Sequence, residues 1–274
     1  MEKVALVTGG TGFVGRQVCR NLVALGYRVR LVVRDASRVD VDGVERVVVT
    51  PDLFIENLEW LISVCTGVEL VVHIAWYVNP ATYLSSPHNL RCLEGTIRLA
   101  QAVKLSGVRR FVGVGTCFEY DLSAGVLSID TPLCPNSLYG SSKVAAFLTL
   151  KNFFALDKIA FLWCRLFYLY GDGEKSERLI PYLRSRLSAG QQAELTSGNQ
   201  IRDFMDVAEA GEDLARLAVS AKTGEVNVCS GVAKTVRELA EEIADDYNAR
   251  DLLRFGARQD NAVDPHCVVG VRNF

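Results

Sequence analysis

The sequence predicts an α/β protein, a doubly wound parallel sheet followed by a smaller, interwoven C-terminal lobe. Three observations carry this. Short apolar, β-branched runs alternate with segments of helical spacing up to Tyr170. The first run, Val4–Val7, leads into a glycine-rich stretch, Thr8–Gly15, and then into apolar residues at helical spacing from Gln17 to Leu25. After Gly171 the rhythm breaks into shorter, less regular pieces.

In chain order, strands are expected at 3–8, 28–34, 45–49, 69–74, 109–115 and 159–167. Each has the length and apolar continuity of a strand covered on both faces. Helices are expected at 13–25, 54–66, 89–106 and 138–156. The last of these follows Pro135-Asn136-Ser137, a breaker and a cap, and continues through Val144-Ala145-Ala146-Phe147-Leu148. Beyond Gly171, helical patterns at 178–189, 207–221 and 235–248 surround short extended pieces at Glu194-Leu195-Thr196 and Asn227-Val228-Cys229. Neither an internal repeat nor a low-complexity linker divides the chain. Residues 1–170 are therefore expected to form one domain and 171–274 a second lobe interwoven with it, one of its strands returning to the first sheet.

Composition narrows the class of function. The 274 residues suffice for one large α/β domain and a small lobe. With 30 basic and 32 acidic residues, charge is nearly balanced, and no basic stretch points to nucleic acid or an anionic membrane. The hydrophobic share of 49% and mean hydropathy of +0.16 fit a buried parallel sheet. No apolar run reaches transmembrane length, and the N-terminal segment reads as a core strand and not a signal peptide, so a cytoplasmic location is expected. The eight cysteines show no CxxC pair, and several, such as Cys164, lie in apolar runs, as small buried thiols would in a reducing compartment. His73, His88 and His266 are far apart in sequence, so no metal site is expected.

Two motifs carry chemistry. TGGTGFVG, residues 8–15, lies between a strand and a helix, the context that makes a glycine motif a dinucleotide site. Gly9 permits the tight turn, Gly12 lets the backbone approach a pyrophosphate, and Gly15 lets the helix pack close to the strand. Thr11, Phe13, Val14 and Arg16 complete the turn, and the helix start offers free N–H groups to the phosphates. The second motif is YGSSK. Tyr139 and Lys143, four residues apart on a helix, point to one face. A nearby ammonium favours the phenolate, which brings a tyrosine toward acid–base work near neutral pH. The pair comes after a strand, Phe111–Thr116, that ends in polar residues.

TGGTGFVG, Thr116, Tyr139 with Lys143, RLFYLYG at 165–171 and RDF at 202–204 together resemble the extended short-chain dehydrogenase/reductases. Within them the chain is similar to the nucleotide-sugar epimerase/dehydratase/reductase group, from Val4 to Asp264. The resemblance implies a Rossmann domain that binds a nicotinamide cofactor and a smaller lobe that holds a nucleotide-diphosphate sugar. It places Asp52 and Leu53 against the adenine and Ala75 at the end of the fourth strand, although simple turn and strand-end roles fit these residues equally. It also implies a homodimer built on helices 89–106 and 138–156, the second of which carries Val144, Phe147, Leu148, Leu150 and Phe153.

The end of the second strand bears on cofactor choice. An acidic residue there usually binds the ribose 2′-hydroxyl of NAD. Here Arg34 takes that place, with Asp35 next and Arg16 after the last glycine. Two arginines favour the 2′-phosphate of NADP(H) over NAD. The alternative is two surface arginines with Asp35 binding the ribose.

The two residues after Thr116 narrow the reaction. The 4,6-dehydratases carry Asp-Glu at that point, because water elimination needs an added acid/base pair. This chain has Cys117-Phe118. The stretch Gly115–Tyr120 instead resembles 4-keto-6-deoxyhexose reductases, and Leu195–Phe204 resembles CDP-paratose synthases. An NAD(P)H-dependent reductase of a nucleotide-linked 4-keto-6-deoxy sugar is therefore expected, with Tyr139 as proton donor, Thr116 bonding the same oxygen and Lys143 on the nicotinamide ribose. By the same resemblance Arg202 pairs with the substrate diphosphate, or else forms a salt bridge to Asp203 or Asp206. Glu119 contacts sugar hydroxyls, or else caps its own loop. A C4 epimerase with tightly held NAD and a non-catalytic NAD(P)-binding partner protein are the alternatives. Cys92, where the family often has asparagine, is the departure that keeps the last one open.

Overall fold

The computed structural model describes residues 3–261 and 264–274. In chain order its elements are β1 (Val4–Thr8), α1 (Phe13–Ala24), β2 (Arg28–Val33), β3 (Val44–Val49), α2 (Leu58–Cys65), β4 (Leu70–His73), α3 (His88–Leu105), β5 (Arg110–Thr116), β6 (Val126–Leu127), α4 (Leu138–Leu156), β7 (Ala160–Leu166), β8 (Tyr168–Tyr170), α5 (Leu179–Ser188), β9 (Ala193–Glu194), β10 (Ile201–Asp206), α6 (Val207–Val219), β11 (Gly224–Val228), β12 (Ala233–Thr235), α7 (Val236–Asp245), β13 (Leu253–Arg254) and β14 (Cys267–Gly270).

Seven strands form one sheet in the order β11-β7-β5-β4-β1-β2-β3, every neighbouring pair parallel. Successive strands leave β1 first toward β3 and then, from β4 on, toward β11. The order reverses between β1 and β4, and the crevice at the carboxyl ends of strands at such a reversal is where open α/β sheets bind ligands. Strand alternation supplies both cores. Leu6, Val71, Phe111 and Trp163 face α2, α3 and α4. Ala5, Val7, Val72, Val112 and Cys164 face α1 and α6. These two helices cross closely, since a side chain at Gly211 would meet the Gln17 side chain at 2.3 Å.

The second lobe has its own sheet, β12-β10-β14-β6, with β8 added beside β10. The short β9–β13 ladder, α5 and α7 enclose a separate apolar cluster around Leu183, Leu239 and Ile243. The chain passes back and forth between the lobes. β6 and β8 precede Gly171 yet belong to the second sheet, whereas β11 comes after it and pairs with β7 of the first.

Two expected helices differ in extent. The 54–66 pattern splits into a short turn at Leu53–Ile55 and α2, because Asn57 turns extended and caps α2 by accepting from Trp60 N at 2.8 Å. The 235–248 pattern ends at Asp245, and Asn248 takes a left-handed φ of 49°. No helix among the described residues is long and apolar enough to cross a membrane.

Candidate active site

The glycine turn sits at the reversal point and is fixed to the end of β4. Gly9 has φ +74°, and a Cβ there would lie 2.8 Å from Ala75 N. A Cβ at Gly15 would lie 2.1 Å from Gly9 O, so only glycine allows α1 to start this close to the strand. Gly12 N donates to Gly9 O at 3.0 Å. Beneath the turn, His73 joins Thr8 Oγ1 at 2.8 Å to Thr96 Oγ1 at 2.9 Å, and Thr8 Oγ1 also accepts from Ala75 N. Burial, with the Lys143 charge adding, pulls the His73 imidazole down to about 3, so the relay is neutral. Gly12 caps α1 without a side-chain bond, which leaves the first N–H groups of the helix, at Phe13, Val14 and Gly15, facing the crevice. Thr11 flanks them, partly exposed. This cradle fits a dinucleotide pyrophosphate.

The two arginines expected together at the ribose are not brought together. Arg34 stands exposed at the end of β2 and makes no ion pair or hydrogen bond among the described residues. The Asp35 carboxylate accepts from Ser37 N at 3.0 Å and Ser37 Oγ at 2.7 Å, which holds it below its usual range. Arg16 turns toward the other lobe, its guanidinium against Gly173 in the loop after β8, with Nε buried and unpartnered. Arg16 thus meets the loop after β8, while Arg34 stands at the end of β2. Asp52 caps the Leu53–Ile55 turn through Phe54 N at 3.0 Å and pairs with Arg91 at 3.5 Å, while Leu53 is buried in the core beside α3.

Tyr139, Lys143 and Thr116 converge above the end of β5. Ser137 starts α4 by accepting from Gly140 N at 3.1 Å. Tyr139 lies one residue into the helix, 7% exposed, with Thr116 beside it. Burial drives the phenol well above its ordinary value, with nearby Tyr83 adding, and outweighs the lowering by Thr116. The phenol is thus protonated at neutral pH. One turn on, Lys143 Nζ donates to Val114 O at 2.6 Å and sits 3.9 Å over the Trp76 ring. Burial pulls Lys143 down to about 8, against the raising effect of Glu119 and Cys92, so the ammonium remains the major form at pH 7. The Cys117 thiol is buried and pushed up to about 12, so it stays protonated.

Glu119 is placed differently from a sugar ligand. It is fully buried, and its carboxylate accepts from Thr116 N at 2.8 Å, Trp163 Nε1 at 3.0 Å and Arg165 Nε at 2.7 Å. With Thr116 it forms a reciprocal capping box over the turn 117–119. Protein donors surround the carboxylate where a sugar hydroxyl would have to approach. Arg202 is also buried, paired with Asp264 at 2.7 Å rather than with Asp203 or Asp206, and its guanidinium lies 5.2 Å over the Tyr168 ring. Asp203 instead accepts from Ser230 N and Oγ, Gly231 N and Gly270 N, and Asp206 caps α6. Tyr83, Trp76 and Tyr168 also face this site, and sequence reasoning misses all three. The first two lie in 74–87, which has no periodicity, and Tyr168 lies in a motif, RLFYLYG, that marks the family without singling out a side chain.

A doubly wound sheet with a pyrophosphate cradle at its reversal point and a buried Tyr–Lys pair beside it defines a nicotinamide-linked enzyme class. The chain belongs to the NAD dependent epimerase/dehydratase family, whose model matches residues 5–229. The dTDP-6-deoxy-L-talose 4-dehydrogenase (NAD(+)) of Aggregatibacter actinomycetemcomitans is 22% identical over 271 residues, 97% of this chain and 99% of its own. The CDP-abequose synthase of Salmonella muenchen is 23% identical over 276 residues, 97% of this chain and 89% of its own. Among solved structures, MoeE5 in complex with UDP-glucose and NAD is similar with a TM-score of 0.82 and 27% identity, covering 97% of this chain and 88% of that one.

Proposed function

We propose that this protein is an NAD(P)H-dependent reductase of a nucleotide-linked 4-keto-6-deoxy sugar. The observation that carries the reading is Tyr139, a phenol kept protonated by burial, with Thr116 beside it and the nearby Glu119 carboxylate already committed. A carbonyl reduction needs a proton donor at the start, and Tyr139 is in that form. Thr116 donates to the oxygen as negative charge grows on it, and Tyr139 then delivers its proton to that oxygen. Lys143 supplies the positive field that steadies the phenolate left behind. The reduced nicotinamide, when bound, supplies the hydride that becomes the new C–H bond at C4. Glu119, the acid of the turn after Thr116, is locked to Arg165 and Trp163, which argues against the extra acid/base pair of a dehydratase. The names borne by the two curated relatives, a 4-dehydrogenase of a 6-deoxy sugar and a CDP-abequose synthase, agree in substrate class with this reading.

On the cofactor, the exposed and unpaired Arg34 supports NADP(H) over NAD, now with one arginine and not two. Arg202, on the same sheet face as Tyr168, is proposed to exchange Asp264 for the substrate diphosphate.

The test gives one preparation two substrates, a nucleotide-hexose with an intact C6 hydroxyl and a 4-keto-6-deoxy nucleotide sugar, and monitors cofactor absorbance and product mass. Stoichiometric NADPH oxidation with the second, and no 4-keto product from the first, is expected. Loss of water from the first without net cofactor consumption overturns the reductase reading. Inertness toward both moves the weight to an epimerase or a cofactor-binding partner protein. Repeating the assay with NADH checks the cofactor, and equal or tighter use of NADH refutes the Arg34 argument.

A homodimer through α3 and α4 belongs to the same proposal, on narrower grounds than the sequence offered. Phe147 and Leu150 pack inside this chain, and Val144 and Phe153 are partly covered. What remains outside is Leu148 and Leu156 on α4 and Leu90 and Leu105 on α3. Light scattering at micromolar concentration should give twice the chain mass, and a monomer would count against it.

A further inference from the structure

We propose that Tyr83 determines substrate specificity by hydrogen bonding the sugar hydroxyl on the carbon next to the reacting carbonyl. The inference rests on the reductase reading of the same site. Tyr83 lies between β4 and α3, in a segment fixed from both sides. Asn89 Nδ2 donates to Tyr83 O at 2.6 Å and to Ser86 O at 2.9 Å, and Asn89 Oδ1 accepts from Trp76 Nε1 at 2.8 Å. On the other side, Tyr139 N donates to Leu84 O at 3.0 Å. The backbone that carries Tyr83 is thus joined directly to the residue that gives the proton, and the two rings meet edge to face with centroids 5.0 Å apart.

The chemistry of this position rests on what the other phenols do. Tyr139 is reserved for the reacting oxygen, and Tyr168 lies under the Arg202 guanidinium. The Tyr83 hydroxyl has no hydrogen-bond partner among the described residues, although its ring is partly buried. Burial raises its phenol and Arg178, at the start of α5, lowers it only in part, so the hydroxyl keeps its proton. It is a donor at the pH of the reaction.

A substrate whose C4 oxygen meets Tyr139 presents two neighbours to this region. C5 carries a methyl group in a 6-deoxy sugar, which offers a hydroxyl nothing. C3 carries either hydrogen alone, as in a 3,6-dideoxy sugar, or a hydroxyl, which can both accept and donate. A free, preorganised phenol beside the proton donor matches that hydroxyl and not the methyl group. Leaving that phenol unpaired against a sugar without the C3 hydroxyl gives the discrimination.

The experiment compares Tyr83→Phe with wild type on a 4-keto-6-deoxy nucleotide sugar and on its 3-deoxy counterpart with the same nucleotide. Phenylalanine keeps the edge contact with Tyr139. For the 3-hydroxy substrate, kcat/KM is expected to fall about five- to tenfold, the scale of one neutral hydrogen bond, mainly through KM. For the 3-deoxy substrate it is expected to stay within about twofold of wild type. Equal losses on both substrates, carried by kcat, would mean that Tyr83 acts only by packing Tyr139 and would overturn the proposal. So would unchanged kinetics on both. If the wild-type protein reduces neither sugar, the reductase reading itself fails, a result distinct from either of these because it shows itself before any substitution.

Discussion

If the protein is the proposed reductase, Tyr139→Phe is expected to lower kcat for the keto sugar by roughly two to four orders of magnitude, the range of general acid catalysis, while NAD(P)H affinity changes little. The ring survives the substitution and so does its contact with Tyr83, so the cofactor cleft keeps its shape. What disappears is the proton that the proposed reduction delivers to the alkoxide. At 7% exposure the position leaves little room for water to replace it. Thr116 remains to bond the oxygen, which sets a floor beneath the loss and is why removing one group of several does not abolish the rate. Single-turnover absorbance of bound NADPH separates the chemical step from product release. Near-normal single-turnover rates would take Tyr139 out of the mechanism.

The parallel sheet is legible in the sequence because its strands are continuous apolar runs and its glycine turn is local. Each of these signals is contained within a few neighbouring residues. The second sheet is illegible for the opposite reason. β10, Ile201–Asp206, carries Arg202, Asp203 and Asp206 and has no apolar alternation, since its buried charges are satisfied from elsewhere: Asp203 by Ser230, Gly231 and Gly270, Arg202 by Asp264. β6 and β14 are short and far apart in sequence, so neither marks itself until the other is beside it. In the site, spacing is enough to bring Tyr139 and Lys143 together on one helix face, and the strand's end supplies Thr116. Direction is not available from spacing. Arg16 follows the glycine motif and Arg34 follows the second strand, but α1 carries the first toward Gly173. Glu119 looks free for a ligand in the sequence because Trp163 and Arg165, its partners, arrive on β7, 44 and 46 residues later.

Glu119 therefore yields the second large effect, and it is one of stability. Its carboxylate neutralises Arg165 at 2.7 Å where the two side chains are 0% and 1% exposed. Arg165 also donates to Tyr120 Oη at 3.1 Å, Tyr120 donates to Asn227 Oδ1 at 2.7 Å, and Asn227 donates to Leu127 O and Val271 O. One buried network thus ties β5, β7 and β11 of the first sheet to β6 and the segment after β14. Glu119→Ala leaves a guanidinium buried without a counter-charge, and the loss of one partner of a buried pair costs about 3–5 kcal/mol. Thr116 N and the Trp163 indole lose their acceptor as well, so Thr116 is released from the geometry in which it meets Tyr139. Urea unfolding should show a lowered midpoint with an unchanged slope, and kcat should fall in the fraction that remains folded. Pairing Glu119→Leu with Arg165→Met removes both charges and should recover most of the stability, because the cost lies in the orphaned charge and not in the absence of the pair. A Glu119→Ala variant with the wild-type midpoint and only a raised KM would refute this structural role and return the carboxylate to the sugar.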